Sequence, residues 1–240
     1  MEFHEEAVLL TSIKNEIDKH FQSQSFAVFD VDGTLWKQDV NDLLLNYQQK
    51  NKLRNHTDLL GKDYEDGKNR FQRCKLFASR QEGFSLEEFR LQSIKVLEEN
   101  PLHIFNFQKE LLKYLKSKNI YIYLLTASIK WLVEEVVKFY QLPVDQVLGF
   151  ENRVTRNQIT SELIEPLSYG LGKKELLLKT TNSKRPLLAA GNTLSDLPFL
   201  EISQIPFVVQ SASSKSEDYL LEQELNPYIK KYNWIAFRPS

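Results

Sequence analysis

The chain reads as an α/β protein, a doubly wound parallel sheet interrupted by an all-helical insertion. Three observations carry that reading. Short apolar runs recur at 26–30, 120–125, 147–150, 187–190 and 206–209. Each has strand length and is bounded by polar or turn-forming residues, as buried strands are. Between most of them lie longer stretches whose apolar residues fall three and four apart, and strands alternating with helices imply parallel βαβ units of right-handed crossover. From Lys37 to about Asn100 the β-branched runs vanish and polar and charged residues dominate, so this stretch is expected to be helices inserted after the first strand.

Taken in order, 2–20 carries Leu9, Ile13 and Ile17 on one helical face, enough to lay an amphipathic helix on the core. The strand 26–30 follows. Within the insertion the spacing predicts helices over 39–50, 57–79 and 85–99, the last opened by Ser85 with Glu88 as a capping box. Asn100-Pro101 then punctuates the chain. A helix over 104–117 presents Phe107, Leu111, Leu112 and Leu115, and the strand 120–125 ends in Thr126-Ala127-Ser128. The next helix, over 129–140, turns Leu132, Val133, Val136 and Val137 inward until Pro143 stops it. The stretch 154–163 is expected as a hairpin or extended arm, and 173–180 as a helix announced by Gly170-Leu171-Gly172-Lys173. The strand 187–190 runs into Gly191-Asn192-Thr193-Leu194-Ser195-Asp196, with a helix beginning at Ser195 or Asp196. The tail from Ser211 is charged and then apolar at 234–237, which suits a segment packed back on the core. The expected division is a core of 1–36 and 104–240 and a helical insertion of 37–103.

With 31 Lys and Arg against 32 Asp and Glu, the net charge is −1 and no basic block occurs, which removes support for a general nucleic-acid role. Cys74 is the only cysteine. It excludes an intramolecular disulfide framework and a cysteine metal cluster, fits a reducing compartment, and is expected as a plain thiol. Residues 1–7 are acidic, without the basic head of a secretory signal, and runs such as 121–125 are far too short to span a bilayer. The expectation is a soluble cytoplasmic protein with neither nucleic-acid nor membrane partner.

The chemistry gathers where strands end. The first strand runs into Asp30-Val31-Asp32-Gly33-Thr34, and ligands of open α/β sheets collect at the carboxyl ends of parallel strands. Asp-Gly is also an ordinary turn signal; it accounts for Asp32 and Gly33 but not for Asp30 at the end of an apolar strand. Two further strands end in Thr126 and Ser128 and in Asn192 and Asp196, with Lys173 opening a helix between them. If the strands are neighbours, these groups converge on one rim. Carboxylates brought together repel unless a hard cation such as Mg²⁺ sits among them, and a lysine with a hydroxyl is suited to phosphoryl oxygens.

Together these pieces resemble the haloacid dehalogenase superfamily. Asp-x-Asp-Gly-Thr at 30–34, the strand-ending Thr126, Lys173 at a helix start and Gly-x-x-x-x-Asp at 191–196 follow the order of the family's four motifs, over about residues 26–210. The insertion is similar to the family's C1 cap and places the chain in the phosphoserine-phosphatase-like branch. The resemblance implies a Rossmann-like core and a Mg²⁺-dependent phosphomonoester phosphatase. Asp30 would be the nucleophile that forms an aspartyl-phosphate, and Asp32 the general acid and then base. Thr126 would donate to a phosphoryl oxygen or, more plainly, cap its strand. Lys173, with Lys174 as its adjacent rival, would offset phosphate charge and hold Asp30. Thr34 and Ser128 are expected to bind phosphate, and Asp30, Asp32, Asp196 and Asn192 to hold the metal. Asn192 is the departure: many family members have aspartate there, and asparagine keeps an oxygen but loses a charge.

The substrate is left to the cap. Asp39 falls seven residues after Asp32, where phosphoserine phosphatases carry an acid that meets the substrate's amine; alone it is equally a helix N-terminal charge. Trp36 and Trp131 lie close to the motifs and are expected either to face the cavity or to pack as core. With Asp39 they would suit the phosphate of a cationic alcohol such as choline, ethanolamine or serine. Arg70, Arg73 and Arg80 would meet acidic groups on another substrate or be solvated. A phosphatase of phosphorylated protein residues and a non-catalytic binder that keeps the fold are the alternatives.

Overall fold

The computed structural model describes residues 2–53 and 70–239. Six strands form one sheet: β1 (Phe26–Phe29), β2 (Tyr121–Ile129), β3 (Gln146–Phe150), β6 (Leu188–Gly191), β7 (Ile205–Val209) and β8 (Ile235–Phe237). Their order is β3-β2-β1-β6-β7-β8, and every neighbouring pair is parallel. From β1 the chain builds outward through β2 to β3, then returns to the other side of β1 for β6. The crevice at the carboxyl ends of β1 and β6 is therefore the switch point of a doubly wound sheet. A second, antiparallel pair, β4 (Asn152–Thr155) with β5 (Gln158–Leu163), is the expected hairpin.

Strand periodicity explains the two layers. In β1, Ala27 and Phe29 join one apolar cluster while Phe26 and Val28 join the other, as alternate residues must on the two faces of a sheet. The same alternation holds in β7, where Phe207 and Val209 face the first cluster and Val208 the second. The first face is covered by α1 (Glu2–His20), through Ile13 and Ile17, and by α5 (Asn106–Ser117) and α6 (Lys130–Phe139). The second is covered by α7 (Leu171–Thr180) and the one-turn α8 (Leu197–Leu200), through Leu177, Phe199 and Leu200. Two more helices, α9 (Glu217–Gln223) and α10 (Asn226–Tyr232), precede β8.

Inside the insertion lie α2 (Val40–Lys50), α3 (Arg70–Ser79) and α4 (Leu86–Glu99). The capping box is formed, with Glu88 N donating to Ser85 Oγ at 3.1 Å and Ser85 N to Glu88 Oε2 at 2.8 Å. These helices share the core of the sheet rather than owning one: Val40, Leu44, Phe77, Phe89 and Val96 belong to the same cluster as Phe29 and Leu124. Arg90 ties α4 to Glu134 and Glu135 of α6. A buried amide set, Gln48 donating to Gln81 and Gln92 at 2.9 Å each, fixes the insertion's elements to one another.

Several expectations need revision. Residues 57–69 of the helix expected over 57–79 lie outside the described residues, and Arg70–Ser79 is helical. β2 does not stop at 125. It runs through Thr126 to Ile129, with a register shift against β3 between Leu125 and Ile129. The helix expected from 104 starts at Asn106, because Ile104 pairs with Trp36 in an isolated bridge. The tail goes beyond packing on the core: β8 adds a sixth strand alongside β7.

Candidate active site

At the carboxyl ends of β1, β2 and β6 a cavity of about 270 Å³ opens beneath α2 and α3. Asp30 leaves β1 with its N–H still donating to Ala190 O at 2.8 Å, so its position is set by the sheet. The chain then turns sharply: the N–H groups of Thr34, Leu35 and Trp36 all point to Val31 O. Gly33 sits at φ 75, and a Cβ there would come within 2.2 Å of the Asn192 amide. Only glycine allows both the left-handed backbone and that approach.

Asp30 is 6% exposed. Its Oδ1 accepts from Lys173 Nζ at 2.6 Å and its Oδ2 from Thr34 Oγ1 at 3.1 Å. Lys173 comes from the first turn of α7, which Gly172 lets approach closely: a Cβ on Gly172 would meet Leu167 O at 1.9 Å. The same Nζ donates to Asp196 Oδ1 at 2.6 Å. Asp196 Oδ2 accepts the N–H groups of Asn192 and Thr193 at 2.9 and 3.1 Å, folding the loop after β6. Of the two adjacent lysines it is Lys173 that reaches Asp30; Lys174 does not line the cavity.

Burial sets the electrostatics. It pushes Asp30 up to about 7, reinforced by the charge of Asp196 and opposed by Lys173. Burial alone would lower Lys173, yet the carboxylates of Asp196 and Asp30 outweigh it and hold the ammonium above its usual range. Asp32 is raised well above the ordinary carboxylate value, by burial first and the charge of Asp39 second, with the Ser128 hydroxyl opposing.

Asp32 Oδ1 accepts from Trp36 Nε1 at 2.8 Å and Val40 N at 3.2 Å, and Oδ2 from Ser128 Oγ at 2.6 Å. Thr126 accepts from Ser128 N at 2.9 Å. Because β2 continues past it, Thr126 does not cap the strand as expected; the residue lines the cavity. Asp39 is the N-cap of α2, accepting from Asn41 N and Asp42 N, and the residue also lines the cavity.

For the two tryptophans the core reading holds and the cavity reading does not. Trp36 is fully buried and does not line the cavity; the tight turn at Val31 points its ring into the core and its N–H at Asp32. Trp131 is buried against Phe89 in an edge contact. The Thr34 hydroxyl donates to Asp30 and Thr34 does not reach the cavity, while Ser128, which lines it, donates to Asp32. Arg70 pairs with Asp218 and Arg73 with Asp42, while Arg80 does not line the site.

A magnesium site was expected at Asp30, Asp32, Asp196 and Asn192. Mg²⁺ keeps several waters and takes one or two carboxylates plus substrate phosphate. Asp30 and the Asn192 amide both line the cavity and fit that modest donor set. Asp32 also lines the cavity, with its oxygens on Trp36, Val40 and Ser128, whereas the carboxylate of Asp196 does not fit. Both oxygens of Asp196 are taken by Lys173 and the loop N–H groups, and the residue is fully buried beneath the cavity floor. Both oxygens of Asp30 are also bonded, to Lys173 and Thr34, so Asp30 would exchange one of these partners for a metal. Among the described residues no three His, Cys, Asp or Glu side chains converge on one point.

Sequence reading missed the segment after β7. Ser211 Oγ donates to Gly33 O at 2.7 Å, and the fully buried Glu222 accepts from Ser211 N and Ala212 N at about 3.0 Å. Ser211, Ala212 and Glu222 thereby line the cavity. The available signal was position alone, since Ser211 follows a strand whose carboxyl end faces the same rim.

A doubly wound sheet with polar side chains gathered at its switch point defines an α/β protein that takes its ligand at the sheet rim. The model of the haloacid dehalogenase-like hydrolase family matches residues 27–201, and the chain belongs to that family. No curated protein matches it. Among solved structures it is similar to a protein of unknown function from Bordetella pertussis Tohama I, at 13% identity and TM-score 0.74, covering 90% of this chain and 99% of that one. It is also similar to a substrate-bound phosphoserine phosphatase complex, at 15% identity and TM-score 0.56, covering 88% and 99%. A phospho-aspartyl intermediate analogue of phosphoserine phosphatase matches at 14% identity and TM-score 0.56, with the same coverage of 88% and 99%. At these identities the likeness is one of fold. Among the described residues no helix is long and apolar enough to cross a membrane.

Proposed function

We propose that the protein is a phosphatase of small phosphorylated metabolites that works through an aspartyl-phosphate on Asp30. One observation carries the reading: a buried carboxylate, Asp30, is held by Lys173 at the floor of the cavity, with a second carboxylate, Asp32, fixed beside it by Ser128. The fold likeness to phosphoserine phosphatases, one of them a phospho-aspartyl analogue, supports it.

In this reading an oxygen of Asp30 attacks phosphorus as the ester P–O bond breaks, and the departing oxygen takes its proton from Asp32. Asp32, now a carboxylate, removes a proton from water, which attacks the aspartyl-phosphate and frees inorganic phosphate and Asp30. Lys173 keeps Asp30 oriented and offsets charge at the phosphoryl oxygens, and Thr126 donates to one of them. Mg²⁺, held by Asp30 and Asn192, would neutralise the anionic phosphoryl group. Residues 37–103 serve as a cap over a core of 1–36 and 104–240.

Asp39, on the cavity wall, favours a cationic alcohol such as serine, ethanolamine or choline as its phosphate. The aromatic part of that expectation is dropped with Trp36. The Arg70 to Asp218 pair bridges α3 and α9 at the cavity, which suits a small substrate better than a phosphorylated polypeptide. The protein works in the reducing cytoplasm, to which its lone thiol is suited. Burial pushes Cys74 up to about 12, so it stays an unreactive thiol. Turnover of p-nitrophenyl phosphate with Mg²⁺, lost in EDTA and in Asp30→Asn, is the expected outcome; undiminished turnover in Asp30→Asn would sink the reading. A panel of phosphometabolites then ranks the alcohols.

A further inference from the structure

We propose that Trp36 is a positioning residue: with the Val40 N–H it locks Oδ1 of Asp32 and thereby presents Oδ2 as the oxygen that hands a proton to the leaving group. This rests on the reading of Asp32 as the general acid. The geometry is asymmetric. Oδ1 receives two donors, the Trp36 indole at 2.8 Å and the Val40 amide at 3.2 Å. Neither group gives up its hydrogen or accepts one near neutral pH, so Oδ1 remains an acceptor throughout. Oδ2 meets only the Ser128 hydroxyl, at 2.6 Å. A hydroxyl turns freely between donating and accepting, so it serves Asp32 with or without a proton on Oδ2. As the ester bond breaks, the O–H bond at Oδ2 breaks too; the proton joins the departing oxygen and its bonding pair stays on Oδ2.

The placement of Trp36 has a local cause. The turn that hydrogen-bonds three N–H groups to Val31 O brings residue 36 back beside residue 32, and its pairing with Ile104 fixes the backbone there. Full burial removes water as a competing partner for the indole N–H, and a buried N–H to a carboxylate is among the stronger hydrogen bonds. Val40 is the first residue of α2, so the second donor comes from the cap's first helix.

The test uses leaving-group dependence of kcat/KM on p-nitrophenyl phosphate and phenyl phosphate, which share a shape but differ in how much the departing oxygen needs a proton. In Asp32→Asn the nitrophenyl to phenyl ratio should rise by about 10²-fold, the usual worth of a general acid. In Trp36→Phe it should rise about tenfold, with the nitrophenyl ester nearly unaffected. Val40→Pro removes the other donor at a helix position that tolerates proline; it should move the ratio the same way, and it carries the test if Trp36→Phe fails to fold. Equal loss on both esters, or an unchanged ratio, in a folded Trp36→Phe whose Asp32→Asn counterpart does shift would overturn the positioning role and reduce Trp36 to packing. An unchanged ratio in Asp32→Asn would instead remove the reading on which it stands.

Discussion

The floor and the mouth of the cavity are built from the same kinds of charge in opposite conditions. On the floor, Asp30, Lys173 and Asp196 are almost wholly buried and bonded to one another at 2.6 Å. At the mouth, Arg70 with Asp218 and Arg73 with Asp42 stand partly in solvent. A buried pair that loses one partner leaves an uncompensated charge, whereas an exposed pair loses little. The floor is thus fixed in geometry and sensitive to substitution, while the mouth is free to vary with the substrate.

The sharpest way to break that contrast is at Lys173. Lys173→Met should abolish measurable turnover and cost about 3–5 kcal/mol of stability, read by denaturant unfolding; a loss below about 1 kcal/mol would put the floor on the same footing as the mouth. Next comes pH. Asp30 rises from 3.8 to about 7 in the folded protein, so the folded state holds its proton more tightly than the unfolded chain. Its contribution to stability is fully present below 3.8 and lost as pH climbs through about 7. In EDTA, the wild type should lose stability across that window more steeply than Asp30→Asn, as thermal melts at stepped pH will show.

A third test adds charge to the floor. Asn192→Asp should lower the Mg²⁺ concentration for half-maximal activity about tenfold, equivalent to about 1.4 kcal/mol; an unchanged half-saturation counts against a ligand role for residue 192. At the mouth, Asp39→Asn keeps a competent helix cap while removing charge. It should raise KM for a cationic phosphate ester about tenfold, a loss of about 1.4 kcal/mol, and leave phenyl phosphate alone. The smallest effect is expected from Arg70→Ala, a stability change of about 0–1 kcal/mol that high salt diminishes further.

What could be read from sequence follows the same division. Asp30, Lys173 and Asp196 were legible because each sits at the end of a buried strand or the start of a helix, where a local pattern fixes position, whereas Thr126, expected at a strand end, lies within β2. Parallel pairing then brought them together as topology requires. Trp36 was left between cavity and core, and the structure takes the core reading, because its direction depends on how tightly the chain turns at Val31, which residue types alone do not specify. Thr34 and Ser128 were placed at the right rim, but which acceptor a hydroxyl chooses is decided by neighbours distant in sequence. Asn192 was legible as a departure, while its packing against Gly33 required the fold. The segment from Ser211 to Glu222 and the short strand β8 had no local signature: three residues pairing with a distant edge read as tail.

The central claim is that Asp30 carries the phosphoryl group. Acid quenching during turnover of p-nitrophenyl phosphate, followed by proteolysis and mass analysis, tests it most directly. The account predicts one labile phosphoryl group on the peptide containing Asp30 in the wild type, more of it in Asp32→Asn, and none in Asp30→Asn. A phosphoryl group on any other residue, or steady turnover in Asp30→Asn, would contradict it.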